Sequence, residues 1–154
     1  MKRIEAIKKI YEENKGAFFI LSNGLTSREA AYFFPQKNSL YLLHAMGEAL
    51  SVGIGLASVR PDLKIVVIDG DGNAMMGMAS WNCIGKLKNL KYYILKNNTY
   101  CTTGSQKLPE FQCLPDWCNV IEISDEKEET PNPPQPEEIL KNVLEWLKGD
   151  RNDE

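Results

Sequence analysis

The chain of 154 residues contains a single histidine, His44, and its four cysteines (Cys83, Cys101, Cys113 and Cys118) form no Cys-x-x-Cys pair. Zinc sites draw on closely spaced thiolate and imidazole ligands, so this composition excludes zinc as an organising element. Free thiols are the expectation for a reducing compartment. No apolar run approaches the roughly 20 residues that a bilayer requires. The opening segment MKRIEAIKKIYEENK lacks the apolar stretch and small-residue cleavage site of a leader peptide, so the expected location is cytoplasmic. Positive charge is not in excess: 18 Lys and Arg stand against 21 Asp and Glu, a net charge of −3. That balance offers no electrostatic footing for nucleic acid or for a general membrane surface. The sequence also lacks a Gly-x-Gly-x-x-Gly fingerprint, a P-loop lysine and any internal repeat, which removes the common nucleotide-binding motifs. With 43% hydrophobic residues and no composition break, 1–154 reads as one domain with a full core, the end 149–154 being a tail expected to fray.

What is present alternates between short apolar runs and helical patterns. Ile4, Ile7, Ile10 and Tyr11 repeat at helical spacing over 2–14, and Gly16 ends that helix. The run 17–21 (AFFIL) is a first buried strand, followed by Ser22-Asn23-Gly24. Thr26 and Glu29 sit three apart and predict a capping box opening a helix that stops at Pro35. A second strand covers 39–43, and the helix over 48–60 is rich in small residues. Glycine there weakens helix propensity, so that helix must pack closely on the sheet or on a partner subunit. Strands 65–68, 92–95 and 119–123 follow, then a charged, proline-containing connection over 124–136 and an amphipathic helix over 137–148. This order predicts an α/β fold: three αβα layers around a doubly wound, mostly parallel sheet.

Residues 64–98 organise the rest. An apolar strand ends in Asp69-Gly70-Asp71-Gly72-Asn73, and a second ends in Asn97-Asn98. The segment between is long enough for a crossover helix, on which Cys83 is expected to be core. Both clusters therefore fall at the C-terminal edge of one parallel sheet, where open α/β sheets place ligands. Gly70 and Gly72 permit a tight turn and close backbone approach. The N–H groups of Asn73 and Ala74 open a helix, and helix N-termini favour phosphate. Asp71 would repel that phosphate unless a cation lies between them. A carboxylate, the Asn98 amide oxygen, a backbone carbonyl and phosphate oxygens together form the hard octahedral shell that Mg²⁺ prefers.

Gly-Asp-Gly, 24 residues (73–96) and Asn97-Asn98 resemble the diphosphate-binding motif of thiamine diphosphate enzymes. The similarity extends through Gly24-Leu25-Thr26-Ser27-Arg28-Glu29, Met46-Gly47 and Gly104-Ser105-Gln106 to the 2-oxoacid decarboxylases of that family. Within them it resembles the phosphonopyruvate decarboxylases and the sulfopyruvate decarboxylase beta subunits. The resemblance implies thiamine diphosphate and Mg²⁺ as cofactors. It implies Asp71, Asn98 and the carbonyl of Tyr100 as metal ligands, and Gly70, Gly72, Asn73 and Ala74 as diphosphate contacts. It makes Met46 the large apolar residue that props the cofactor in a bent form and so serves catalysis. Gly24, His44 and Ala45 would border the cofactor. Cys101 lies three residues past Asn98 and either lines the cofactor loop or fills a small buried space.

Ser27 and Arg28 are the candidates for meeting a substrate's phosphonate or sulfonate, through a helix first turn and a guanidinium. In this family a glutamate on a separate pyrimidine-binding domain starts the chemistry, and no such domain is recognisable here. The expectation is therefore a subunit that joins a pyrimidine-domain chain in a hetero-oligomer, with or without copies of itself, and acts on a small 2-oxoacid. Leu25, His44-Ala45 and Thr99 depart from the usual family residues. They leave open another 2-oxoacid, a carboligase reaction or a non-catalytic regulatory subunit.

Overall fold

A computed structural model describes residues 1–85 and 87–149. The frayed tail expected for 149–154 falls outside the described residues from position 150 onward. Five strands form one sheet: β1 (Phe18–Leu21), β2 (Ser39–Tyr41), β3 (Ile65–Gly70), β4 (Leu90–Lys96) and β7 (Cys118–Glu122), in the order β2-β1-β3-β4-β7. Every neighbouring pair is parallel, so the sheet is wholly rather than mostly parallel. Two short strands, β5 (Thr99–Tyr100) and β6 (Gln106–Lys107), form a separate antiparallel ribbon. The central strands are buried on both faces, which explains their continuous apolar runs.

Helices cover both faces. On one, Tyr11 of α1 (Arg3–Glu13) packs on Phe19 with ring centroids 4.3 Å apart, and α2 (Leu25–Phe33) lies beside α1. On the other, α3 (Ala49–Val59) crosses the sheet, and Trp146 of α5 (Pro136–Lys148) packs on Phe18. The small residues of α3 divide by face. A Cβ at Gly53 would fall 2.4 Å from a Val67 methyl, whereas one at Gly55 would meet open space. Of the two glycines, the sheet therefore explains Gly53 alone. Gly53→Ala gains roughly 1 kcal/mol of helix propensity but overpacks a buried strand at a cost of about 1–3 kcal/mol. A net loss of up to about 2 kcal/mol is expected, read from denaturant unfolding.

Three local expectations change. The capping box is not formed at Thr26: α2 begins after Gly24, at φ 86°, and Thr26 and Ser27 are buried inside its first turn. Glu29 faces the core and bonds Arg3 rather than the helix end. The crossover between β3 and β4 is not one helix either. It is α4 (Asp71–Met76) followed by a 3₁₀ segment (Met78–Cys83), with Gly77 between them. Cys83 ends that segment and is exposed, not core; the buried residue is Trp81, between Phe111 and Trp117. Among the described residues, no helix is long and apolar enough to cross a membrane.

Candidate functional site

The chain leaves β1 toward β2 on one side and returns to β3 on the other, so the sheet order reverses between β1 and β3. Their tips are joined: the Ser22 N–H donates to the Ile68 carbonyl (3.0 Å), and the Gly70 N–H donates to Ser22 Oγ (3.2 Å). Beyond them opens a cleft of about 90 Å³, which continues to the tip of β4.

Asp71 is the hub. Its Oδ1 accepts from the Gly72 N–H (2.9 Å), and its Oδ2 accepts from the N–H groups of Asn97 (3.0 Å) and Asn98 (2.6 Å). Asn98 adopts φ 61°, a left-handed conformation that asparagine tolerates, and this turn brings successive N–H groups onto one oxygen. Asp71 is only 3% exposed. Burial raises its pKa above the ordinary carboxylate range, opposed only by backbone N–H donors. A desolvated carboxylate on a cleft wall, with no ion pair to a cationic side chain among the described residues, suits a divalent cation as its partner. Among the described residues no three His, Cys, Asp or Glu side chains cluster as a metal cage. A cation at Asp71 would draw its remaining oxygens from amide or backbone carbonyl groups or from a ligand.

Asp69, two residues back, is buried beneath the cleft. Burial pushes its carboxyl up to about 7, against a hydrogen bond donated by the Tyr92 hydroxyl (3.0 Å). On the far side, Asn73 Oδ1 accepts from the Gly47 N–H (3.1 Å), tying the loop that carries Met46 to α4. Met46 is 43% exposed and faces the cleft.

The remaining candidates separate clearly. Gly24, Gly70, Gly72, Asn73, Tyr100 and Cys101 line the cleft with Asp71 and Met46. Ala74 is buried beneath it. Asn98 touches the site through its backbone, and its side chain is exposed. His44 and Ala45 are exposed and not on the cleft wall. Tyr100 lays its ring over Gly72, where a Cβ would fall 2.5 Å from the ring carbon Cε1. The Tyr100 carbonyl accepts from the N–H groups of Thr103 (3.1 Å) and Ser105 (3.0 Å), so its own turn already engages it.

Ser27 and Arg28 lie away from the cleft wall. Ser27 is fully buried, its hydroxyl 3.0 and 2.8 Å from the carbonyl oxygens of Leu21 and Ser22, where it closes the β1–α2 turn. Arg28 donates to the carbonyls of Thr130 and Pro131 and pins the 124–136 connection. A cation not singled out from the sequence, Arg3, lines the cleft. Its signal was available, since Arg3, Ile7, Ile10 and Asn14 follow the helical spacing of the buried stripe.

Residues 22–139 match the thiamine pyrophosphate enzyme family in its C-terminal TPP binding domain. The chain is similar to the sulfopyruvate decarboxylase beta subunit of Methanocaldococcus jannaschii, with 42% identity over 109 residues, 69% of this chain and 57% of that one. It is also similar to the phosphonopyruvate decarboxylase of Streptomyces hygroscopicus, with 34% identity over 108 residues, 68% of this chain and 27% of that one. The match thus spans little more than half the length of the beta subunit. Among solved structures, a 2-oxoglutarate:ferredoxin oxidoreductase from Magnetococcus marinus superposes with a TM-score of 0.54 over 91% of this chain and 47% of that one. Its identity is 23%, so that likeness is one of fold.

Proposed function

Because the chain belongs to the thiamine pyrophosphate enzymes, by their C-terminal TPP-binding domain, we propose that it is the diphosphate-holding subunit of a two-chain decarboxylase. Its substrate in this reading is a three-carbon 2-oxoacid carrying a sulfonate or phosphonate, and its products are the aldehyde and CO₂. The observation that carries the proposal is the buried Asp71 carboxylate, gripped by the N–H groups of Asn97 and Asn98 at the mouth of the switch-point cleft. Asp71 would hold Mg²⁺, with Asn98 beside it, and the turn at Gly70–Asn73 would meet the diphosphate. Met46 would support the bridge between the cofactor's rings. Bound there, thiamine diphosphate supplies the electron sink that decarboxylation of a 2-oxoacid requires.

The size of the cleft supports a partner chain. About 90 Å³ is well below the roughly 300–1,000 Å³ of pockets that enclose an organic ligand of this kind. This chain would hold one end of the cofactor and leave the aminopyrimidine to a partner chain. The beta-subunit names of the relatives support that division. The test is co-expression with a chain carrying a pyrimidine-binding domain, followed by assays of sulfopyruvate and phosphonopyruvate with Mg²⁺ and cofactor. The pair is expected to release CO₂ from at least one of them, and the single chain from neither. Turnover by the single chain would reject the split site. Failure of the pair to bind thiamine diphosphate would reject the reading altogether.

A further inference from the structure

Arg3 is 4% exposed, and its Nη1 donates to Oε1 of Glu29 at 2.8 Å, itself 1% exposed. Its Nη2 lies 3.7 Å from Cys101 Sγ. Burying a guanidinium and a carboxylate together is a poor way to gain stability, since desolvation offsets most of the attraction and apolar residues of similar volume serve as well. The pair also sits at a telling place. Arg3 lines the cleft that Asp71 closes, and among the described residues it is the only lysine or arginine doing so. Its two bonds engage two of the five N–H donors of a planar fork, and that fork matches an oxyanion in two-point geometry.

The rest of the sequence around Glu29 serves this arrangement. Ser27 fastens the start of α2 to the tip of β1, Arg28 anchors the 124–136 connection, and Glu29 is thereby fixed under Arg3. A second anion placed beside a diphosphate needs a cation of its own, and Arg28 is engaged elsewhere.

We propose that Arg3 is the specificity residue of the cleft, receiving the sulfonate or phosphonate of the 2-oxoacid, and that Glu29 is the positioning residue that aims its fork. This rests on the decarboxylase reading above. The test uses the complex with the partner chain and two variants. Arg3→Lys keeps the charge and loses the fork. The double variant Arg3→Met with Glu29→Leu removes both partners and leaves no lone buried charge.

Charge-assisted hydrogen bonds carry enough energy that KM for sulfopyruvate should rise about tenfold in R3K and about a hundredfold in the double variant, with kcat changing less than about threefold. Calorimetry with 3-sulfopropanoate, which has no 2-oxo group, should show the same loss of affinity, while thiamine diphosphate with Mg²⁺ binds as before. Unchanged KM in both folded variants overturns the proposal, and so does a loss of cofactor affinity equal to the KM effect, which would assign Arg3 to the cofactor's phosphate. If the wild-type pair turns over no sulfonate or phosphonate oxoacid, the decarboxylase reading fails separately. Weakened 3-sulfopropanoate binding in R3K would still uphold the anion site, and its absence from the wild type would overturn it.

Discussion

Asp71→Asn is expected to abolish cofactor capture while leaving the fold standing. The wild-type carboxylate accepts three backbone N–H bonds, and the asparagine carbonyl can keep those of Asn97 and Asn98, so the strand tips stay joined. What disappears is the negative charge that a divalent cation requires. Thiamine diphosphate affinity in the presence of Mg²⁺ should fall by at least about a hundredfold in calorimetry, with activity of the proposed two-chain complex lost in step. Thermal unfolding without ligand should shift by no more than about 4 °C.

The pH dependence has a definite sign. Burial raises the Asp71 pKa, so the folded chain holds that proton more tightly than the unfolded chain does. Its contribution to stability is therefore greatest at acid pH and declines as pH rises from the ordinary carboxylate range through the folded pKa. A cation must displace the same proton. Wild-type cofactor affinity should consequently begin to fall on acidification at a higher pH than an ordinary aspartate would dictate, and the residual affinity of D71N should not. Wild-type cofactor affinity in D71N would remove the central assignment.

Much of the architecture was legible because buried parallel strands announce themselves. Runs such as Ile65–Ile68 are apolar throughout, their spacing leaves room only for crossovers, and the polar cluster at each tip follows from where a strand must end. The placement of Asp71 against residues 97 and 98 was readable for the same reason: adjacent strands in one register bring their tips together. The misreadings concern side chains whose partner comes from far along the chain. Thr26 and Glu29 had the spacing of a local cap, but Glu29 pairs with Arg3, 26 residues away, and tertiary pairing prevailed over a local motif. Arg28 looked like a free cation until the 124–136 connection laid its carbonyls beside it. The expected unbroken crossover failed at Gly77, because no periodicity reveals that a glycine is there to touch another glycine 30 positions earlier.

That contact carries the second large effect. Gly77→Ala is expected to destabilise the chain by about 3 kcal/mol and to damage cofactor binding beyond what instability explains. A Cβ at Gly77 would fall 2.4 Å from the Gly47 carbonyl oxygen and 3.2 Å from its carbon. Those are backbone atoms, and no rotamer change can make room. Gly47 cannot yield easily, because it sits at φ 77° and its N–H is held by Asn73. The strain must therefore move either the start of the 3₁₀ segment or the loop before α3, and Met46, the neighbour of Gly47, would leave the cleft wall with it. Gly55→Ala is the matched control: it lies within α3, meets open space and should be neutral or stabilising by up to about 1 kcal/mol. Denaturant unfolding of both variants, with calorimetry of cofactor on the two-chain complex, separates the cases. Wild-type stability and affinity in G77A would show that the two loops are not locked together. A loss in G77A alone would show that the close backbone packing of the two glycines locks the loop carrying Met46 to the start of the 3₁₀ segment.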